Sequence, residues 1–100
     1  MAGQPDRASL ILSANRAMLG AISSEIRAIL IKADDEAIFL NAVIDGPISD
    51  GDRAAIALVA TEIAGDFMDL QVYEECVRAD APAPLPEHKG WYFAFERREP

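Results

Sequence analysis

Residues 52–80 read D-R-A-A-I-A-L-V-A-T-E-I-A-G-D-F-M-D-L-Q-V-Y-E-E-C-V-R-A-D, and residues 6–34 read D-R-A-S-L-I-L-S-A-N-R-A-M-L-G-A-I-S-S-E-I-R-A-I-L-I-K-A-D. Laid over one another at an offset of 46, the two stretches share seven of 29 positions: Asp6/Asp52, Arg7/Arg53, Ala8/Ala54, Leu12/Leu58, Ala14/Ala60, Ala33/Ala79 and Asp34/Asp80. In a chain this rich in Ala and Asp, two amphipathic helices can match by chance, so both a repeat and a coincidence stay open. Either way each copy reads as a helix followed by a strand. In the second, Ile56, Val59, Ala60, Ile63 and Phe67 recur at i, i+3, i+4, i+7 and i+11, one apolar stripe. In the first, Asp6 is a good N-cap; Ile11, Ala14, Met18 and Ile22 recur at helical spacing, Arg7 and Arg16 mark the wet side, and Gly20 stops the helix after about Leu19.

Working outward, Ile26–Ala33 reads as a strand, Asp34-Asp35-Glu36 as a tight acidic turn and Ala37–Ile44 as the returning strand. Asp45-Gly46-Pro47 breaks the sheet. Ser49 opens the second helix, with Asp52 three residues on as a short-armed capping box. Leu70–Arg78 is the third strand, the proline-rich Ala81–Pro86 predicts a stiff extended connector, and Gly90 precedes the last strand, Trp91–Arg97. The expected organisation is a loose tail at 1–5 and a single domain at 6–98, made of two αββ units at 6–45 and 49–98. The expected fold is α+β. Two helices lie on one face of a four-stranded, mostly antiparallel sheet in the order α-β-β-α-β-β, permuted ferredoxin-like or similar. Other strand orders fit the same element list.

One hundred residues support one modest core. Nine Lys and Arg against 17 Asp and Glu give a net charge of −8, which repels phosphate backbones and anionic lipid. Nucleic-acid and membrane-surface binding are therefore disfavoured, and a basic protein partner is favoured. The lone Cys76 excludes an internal disulfide and a cysteine metal site. No stretch approaches the roughly 20 apolar residues that span a bilayer, and Ala8–Ala14 is too short an apolar run for a signal peptide. The expected location is cytoplasmic.

Strand alternation divides each strand between two faces. Ile38, Leu40, Ala42 and Ile44 oppose Phe39, Asn41 and Val43; Trp91, Phe93 and Phe95 oppose Tyr92, Ala94 and Glu96; Ile29 and Ile31 oppose Ile26, Ala28 and Leu30; Val72, Glu74 and Cys76 oppose Gln71, Tyr73, Glu75 and Val77. Two helices cover only one face, so the other is expected to be open and to hold apolar residues among acids, a pattern that marks interfaces. The residues expected to meet a partner are Phe39, Val43, Tyr73, Trp91 and Tyr92, with the acidic turn Asp34, Asp35 and Glu36. A homodimer through this face or an edge is the simplest alternative.

Candidate chemistry is sparse, and no cofactor or metal is expected. Asp45, Asp50 and Asp52 surround one loop, but read from Asp50 a calcium-loop pattern meets Ala54 at position five and Thr61 at position twelve. Capping and turn formation account for these residues. His88, the single histidine, stands in a polar loop with no nucleophile motif in the chain. Cys76 reads as a packing residue, and Glu74 and Glu75 point to opposite faces, which is not a paired-carboxylate site.

The second half resembles a set of short acidic bacterial proteins that are generally uncharacterised. The residues that carry the resemblance are Asp45-Gly46 followed by Ser49 and Asp52, then Thr61-Glu62, Asp66-Phe67, the Pro82/Pro84-Leu85-Pro86 stretch and Gly90-Trp91-Tyr92. It covers Ile26–Arg98, and some relatives are loosely similar to the immunity proteins that accompany bacterial toxins. The resemblance also implies an aromatic run before the Asp-Gly, where this chain has Asn41-Ala42-Val43-Ile44. No catalytic residues carry over. The function expected is a non-catalytic protein-binding domain, most concretely an immunity-type inhibitor of a basic toxin. The alternatives are a self-associating structural domain and, third, a small carboxylate-dependent enzyme using Asp45, Asp50 and His88.

Overall fold

The computed structural model describes residues 4–99, so Met1–Gly3 of the expected tail lie outside the described residues. In chain order the elements are α1 (Arg7–Ala17), β1 (Ile26–Ala33), β2 (Ala37–Ile44), α2 (Asp50–Asp66), β3 (Gln71–Arg78) and β4 (Tyr92–Glu96). Asp6 caps α1 by accepting the Ser9 N–H, and Ser49 caps α2 by accepting the Asp52 N–H at 3.0 Å. α1 stops at Ala17, short of the expected Leu19, and the chain then turns through Gly20 at φ 78°, a left-handed value free of cost only for glycine. Its buried face is Leu10, Ser13, Ala14 and Ala17; of the expected stripe Ala14 and Met18 are buried and Ile11 and Ile22 pack half-buried against the same core, while Leu10, outside that stripe, is fully buried. The α2 stripe of Ile56, Val59, Ala60 and Ile63 is buried, with Phe67 packed against it.

The sheet order is β3-β2-β1-β4. β1 and β2 form the expected antiparallel hairpin, whose turn is tied by Asp34 Oδ1 accepting the N–H groups of Glu36 and Ala37, each at 2.8 Å. β4 lies antiparallel on the far side of β1, and β3 lies parallel to β2 because α2 carries the chain back along the sheet. The two-helix, four-strand α+β class is the expected one, with a mixed sheet. A permuted ferredoxin-like order would instead insert β4 between β2 and β3. Here the segment after β3 crosses beneath the whole sheet and delivers β4 to the opposite edge.

Two register shifts move side chains between faces. A bulge at Arg27 sets Ile26 opposite Ile44 but Ala28 opposite Val43, which returns Ile26 to the helix side with Ile29 and Ile31. A second, against β4, sets Phe95 opposite Ile29 and Phe93 opposite Leu30, so Phe95 packs toward the helices while Phe93 faces outward with Trp91. Strict alternation had grouped Ile26 with Ala28 and Leu30, and Phe95 with Trp91 and Phe93. The main core lies between helices and sheet, with Leu10, Ile29, Ile38, Leu40, Ile56 and Ile63 fully or almost fully buried, each contributing about 1.5–3 kcal/mol.

A second, smaller cluster sits on the other side of the sheet. Ala28, Leu30 and Val43 are buried there beneath Ala79, Leu85, Trp91 and Phe93. The Ala81–Pro86 segment is thus no free extended connector. It turns where the Ala83 N–H donates to Asp80 O at 3.0 Å, and it lays Leu85 on the sheet.

Candidate functional site

The uncovered side of the sheet, called the outer face below, divides into a sealed end and an open end. Arg27 makes the sealed end. As the bulged residue of β1 it is only 3% exposed, and its guanidinium donates to Glu99 (2.8 and 2.9 Å), to Ala79 O (2.9 Å) and to Ala83 O (2.9 Å). Such a charge is tolerable in a buried position because its donors are paired. Arg97 extends the network to Ser24 O, Asp45 Oδ2 and Glu99, while Asp45 Oδ1 accepts the Ala81 N–H at 3.2 Å. Asp80 accepts the Gly46 N–H at 2.7 Å and pairs with Arg78. The Arg27 guanidinium, helped by Arg97, pulls the Glu99 carboxyl down to about 2. The result is a clamp that fixes Ala79–Leu85 over the outer face.

The open end lies beside the β1–β2 turn. Register places Lys32 opposite Phe39, and Phe39 beside Tyr73 of β3. The Phe39 and Tyr73 rings stack with centroids 5.7 Å apart, and Lys32 Nζ lies 4.5 Å from the Trp91 ring centroid and 5.6 Å from that of Phe39. Together with Asn41, Glu74 and Glu75 these residues line a groove of about 360 Å³. Tyr73 is 55% exposed, while the Asn41 Oδ1 atom is buried without a hydrogen-bond partner among the described residues. Carboxylates rim the rings: Glu75 on β3, and Asp35 and Glu36 exposed at the turn, where Glu36 O accepts the Gln71 N–H. The groove is apolar at its floor and acidic at its edge.

Of the residues expected to meet a partner, Phe39, Tyr73 and Trp91 come together here. Val43 does not: it is 0% exposed beneath the clamped segment, because the proline-rich stretch folds back onto it. Tyr92 lies on the helix side, packed against the main core with the Arg7 guanidinium 5.4 Å from its ring centroid, since it pairs with Ile31. Asp34 is occupied as the turn acceptor, and the Glu36 and Ala37 N–H groups hold its carboxyl below the usual range; Asp35 and Glu36 stay exposed. Alternation and aromatic content found the groove residues. Lys32, Arg27 and Glu99 were missed, although an arginine inside the run I-R-A-I-L-I is itself a signal that a buried cation needs partners.

The carboxylate-enzyme arrangement does not assemble. Asp45 is engaged by Arg97 and Ala81, Asp50 is exposed at the start of α2, and His88 Nδ1–H donates to Pro86 O at 3.0 Å with its ring edge-on to Phe93. Burial pushes the Cys76 thiol up despite nearby Arg53, which makes it a poor nucleophile. Among the described residues no cluster of three or more His, Cys, Asp or Glu could hold a metal ion, and no helix is long and apolar enough to cross a membrane.

A search of curated proteins finds no match to this chain. A family profile for the MafI2 immunity protein matches residues 7–99, the full extent of both helices and all four strands, and the chain belongs to that family.

Proposed function

We propose that the chain is a non-catalytic, immunity-type inhibitor that binds a cognate bacterial toxin, a protein with a basic surface, at the open end of the outer sheet face. One observation carries this reading: the aromatic groove of Phe39, Tyr73 and Trp91 stays uncovered and acid-rimmed while the rest of the same face is clamped shut. Rigid aromatic rings set in a partly desolvated hollow are the residue types that dominate binding energy. A net charge of −8 speeds encounter with a cationic partner and rejects acidic ones. Family membership supports a toxin as that partner.

The test is calorimetric titration of the chain with the toxin domain encoded at the same locus. Phe39→Ala and Tyr73→Ala should each weaken binding about tenfold or more, as hot-spot truncations do. Glu75→Lys should slow association several-fold at low salt, the difference shrinking near physiological salt. Wild-type affinity in all three variants rejects the groove as the binding surface. A homodimer through the same rings is the second reading, favoured by the half-exposed Tyr73. Light scattering at micromolar concentration distinguishes them, since a monomer excludes the dimer.

A further inference from the structure

β3 is an edge strand, and one side of its backbone pairs with no strand among the described residues. Gln71 N–H donates to Glu36 O and Ala79 N–H donates to Ile44 O, which fixes which residues of β3 face β2. Backbone polar groups alternate along a strand, so the odd-numbered residues bond inward. The N–H and C=O groups of Val72, Glu74, Cys76 and Arg78 therefore point away from the sheet, and β3 pairs with no strand but β2 among the described residues. Such an edge is a template for strand addition. The opposite edge is shorter, five residues of β4 against eight of β3.

We infer that the toxin engages this chain by adding an extended strand of its own to β3, with apolar and basic side chains in alternation. The inference rests on the toxin-binding reading above and specifies how it is achieved. Chemistry on the two sides of β3 sets the alternation. Toward the helices, Ala60, Thr61 and Ala64 of α2 with Leu70, Val72 and Glu74 line a hollow of about 220 Å³ beside the edge, room for a small apolar side chain next to the Glu74 carboxylate. On the outer side, Glu75 and the exposed Tyr73 offer a carboxylate and a ring face to a cation. The only cation on β3, Arg78, is already paired with Asp80 at 3.0 Å.

A second copy of this chain is the wrong occupant. An antiparallel β3–β3 pair must set outward residues opposite outward residues. At greatest overlap this places either Glu74 opposite Glu74 or Glu75 opposite Glu75, and like charges directly opposite are destabilising. A lysine- or arginine-bearing strand turns the same positions into cross-strand ion pairs.

Residue-resolved amide hydrogen exchange on the full chain, alone and saturated with the toxin domain encoded at its locus, tests this directly. Expected is at least tenfold slower exchange at Val72, Glu74, Cys76 and Arg78 on binding. Tyr73, Glu75 and Val77, already bonded to β2, should change little. Glu74→Pro, which removes an outward donor without touching the β2–β3 ladder, should weaken binding more than Glu74→Ala does. If the toxin binds and the four outward amides exchange as in the free chain, strand addition is overturned while the groove reading survives. Protection that rises with concentration in the chain alone would assign the edge to a second copy and overturn the inference. Failure of the toxin to bind at all removes the functional reading and this one with it.

Discussion

At one end of the outer face Arg27 and Glu99 hold the Ala79–Leu85 segment down on Ala28, Leu30 and Val43; at the other, Phe39 and Tyr73 stack beside an open groove, with the Lys32 ammonium over the Phe39 ring. Both ends have the same strand alternation, and both present apolar side chains outward. What separates them is a single bulge. By leaving Arg27 as one extra, unpaired residue between Ile26 and Ala28, it sets a guanidinium under the crossing segment, where it reaches two carbonyls and a carboxylate at once. Burial of an apolar face in a small domain is thus decided by whether a backbone segment can be anchored over it, not by how apolar the face is.

The sharpest way to break this contrast is Arg27→Ala, which leaves Glu99 and two carbonyls without their buried donor. Loss of about 3–5 kcal/mol is expected from urea unfolding, because one partner of a buried pair is removed while the rest stays. Amides of Ala79–Leu85 should exchange faster, making the sealed end resemble the open one. Next in size, Val43→Ala beneath the clamp should cost about 2 kcal/mol through lost burial and a residual cavity. Tyr73→Ala, at the open end, should cost no more than about 1 kcal/mol. The order should invert for toxin affinity, where Tyr73→Ala does the damage and Val43→Ala does not.

Acid should loosen the clamp selectively. Glu99 titrates at about 2 in the folded chain against an ordinary value near 4.5, so it binds its proton less readily when folded. Its stabilising contribution is therefore fully present above about pH 5 and is lost as pH falls from about 4.5 toward 2. Unfolding midpoints of wild type and Glu99→Gln, measured at pH 7, 4 and 2.5, should differ most at pH 7 and converge at the lowest value. Solvent around Glu99 keeps that difference modest. Smallest of all, Lys32→Ala should change stability by about 0.5–1 kcal/mol, the size of an exposed cation–π contact, and shift the fluorescence of Trp91.

Much of the fold was legible. The α2 stripe from Ile56 to Ile63, both caps and the hairpin around Asp34 follow from local rules that one helix or turn obeys by itself. The repeated pattern misled in one respect. Asp34 and Asp80 occupy matching positions, yet Asp34 closes a two-strand turn while Asp80 ties Gly46 to Arg78, and β3 never pairs with β4. The site was half legible: Phe39, Tyr73 and Trp91 stand out as outward aromatics, but Val43 and Tyr92 have the same appearance in the sequence and lie elsewhere. Bulges cannot be read from alternation, since one extra residue reverses every side chain beyond it.

The amino-acid sequence by itself determined the six elements, their caps, the acidic balance and the helix-facing side of β2, because helical and strand periodicity and capping are set within a few neighbouring residues. Only the tertiary structure decided the strand order, the burial of Val43, the turning of Phe95 and the exposure of the β3 edge. Those depend on where one long segment crosses the sheet, and that is settled by Arg27 meeting Ala79, Ala83 and Glu99, partners 52, 56 and 72 positions away along the chain.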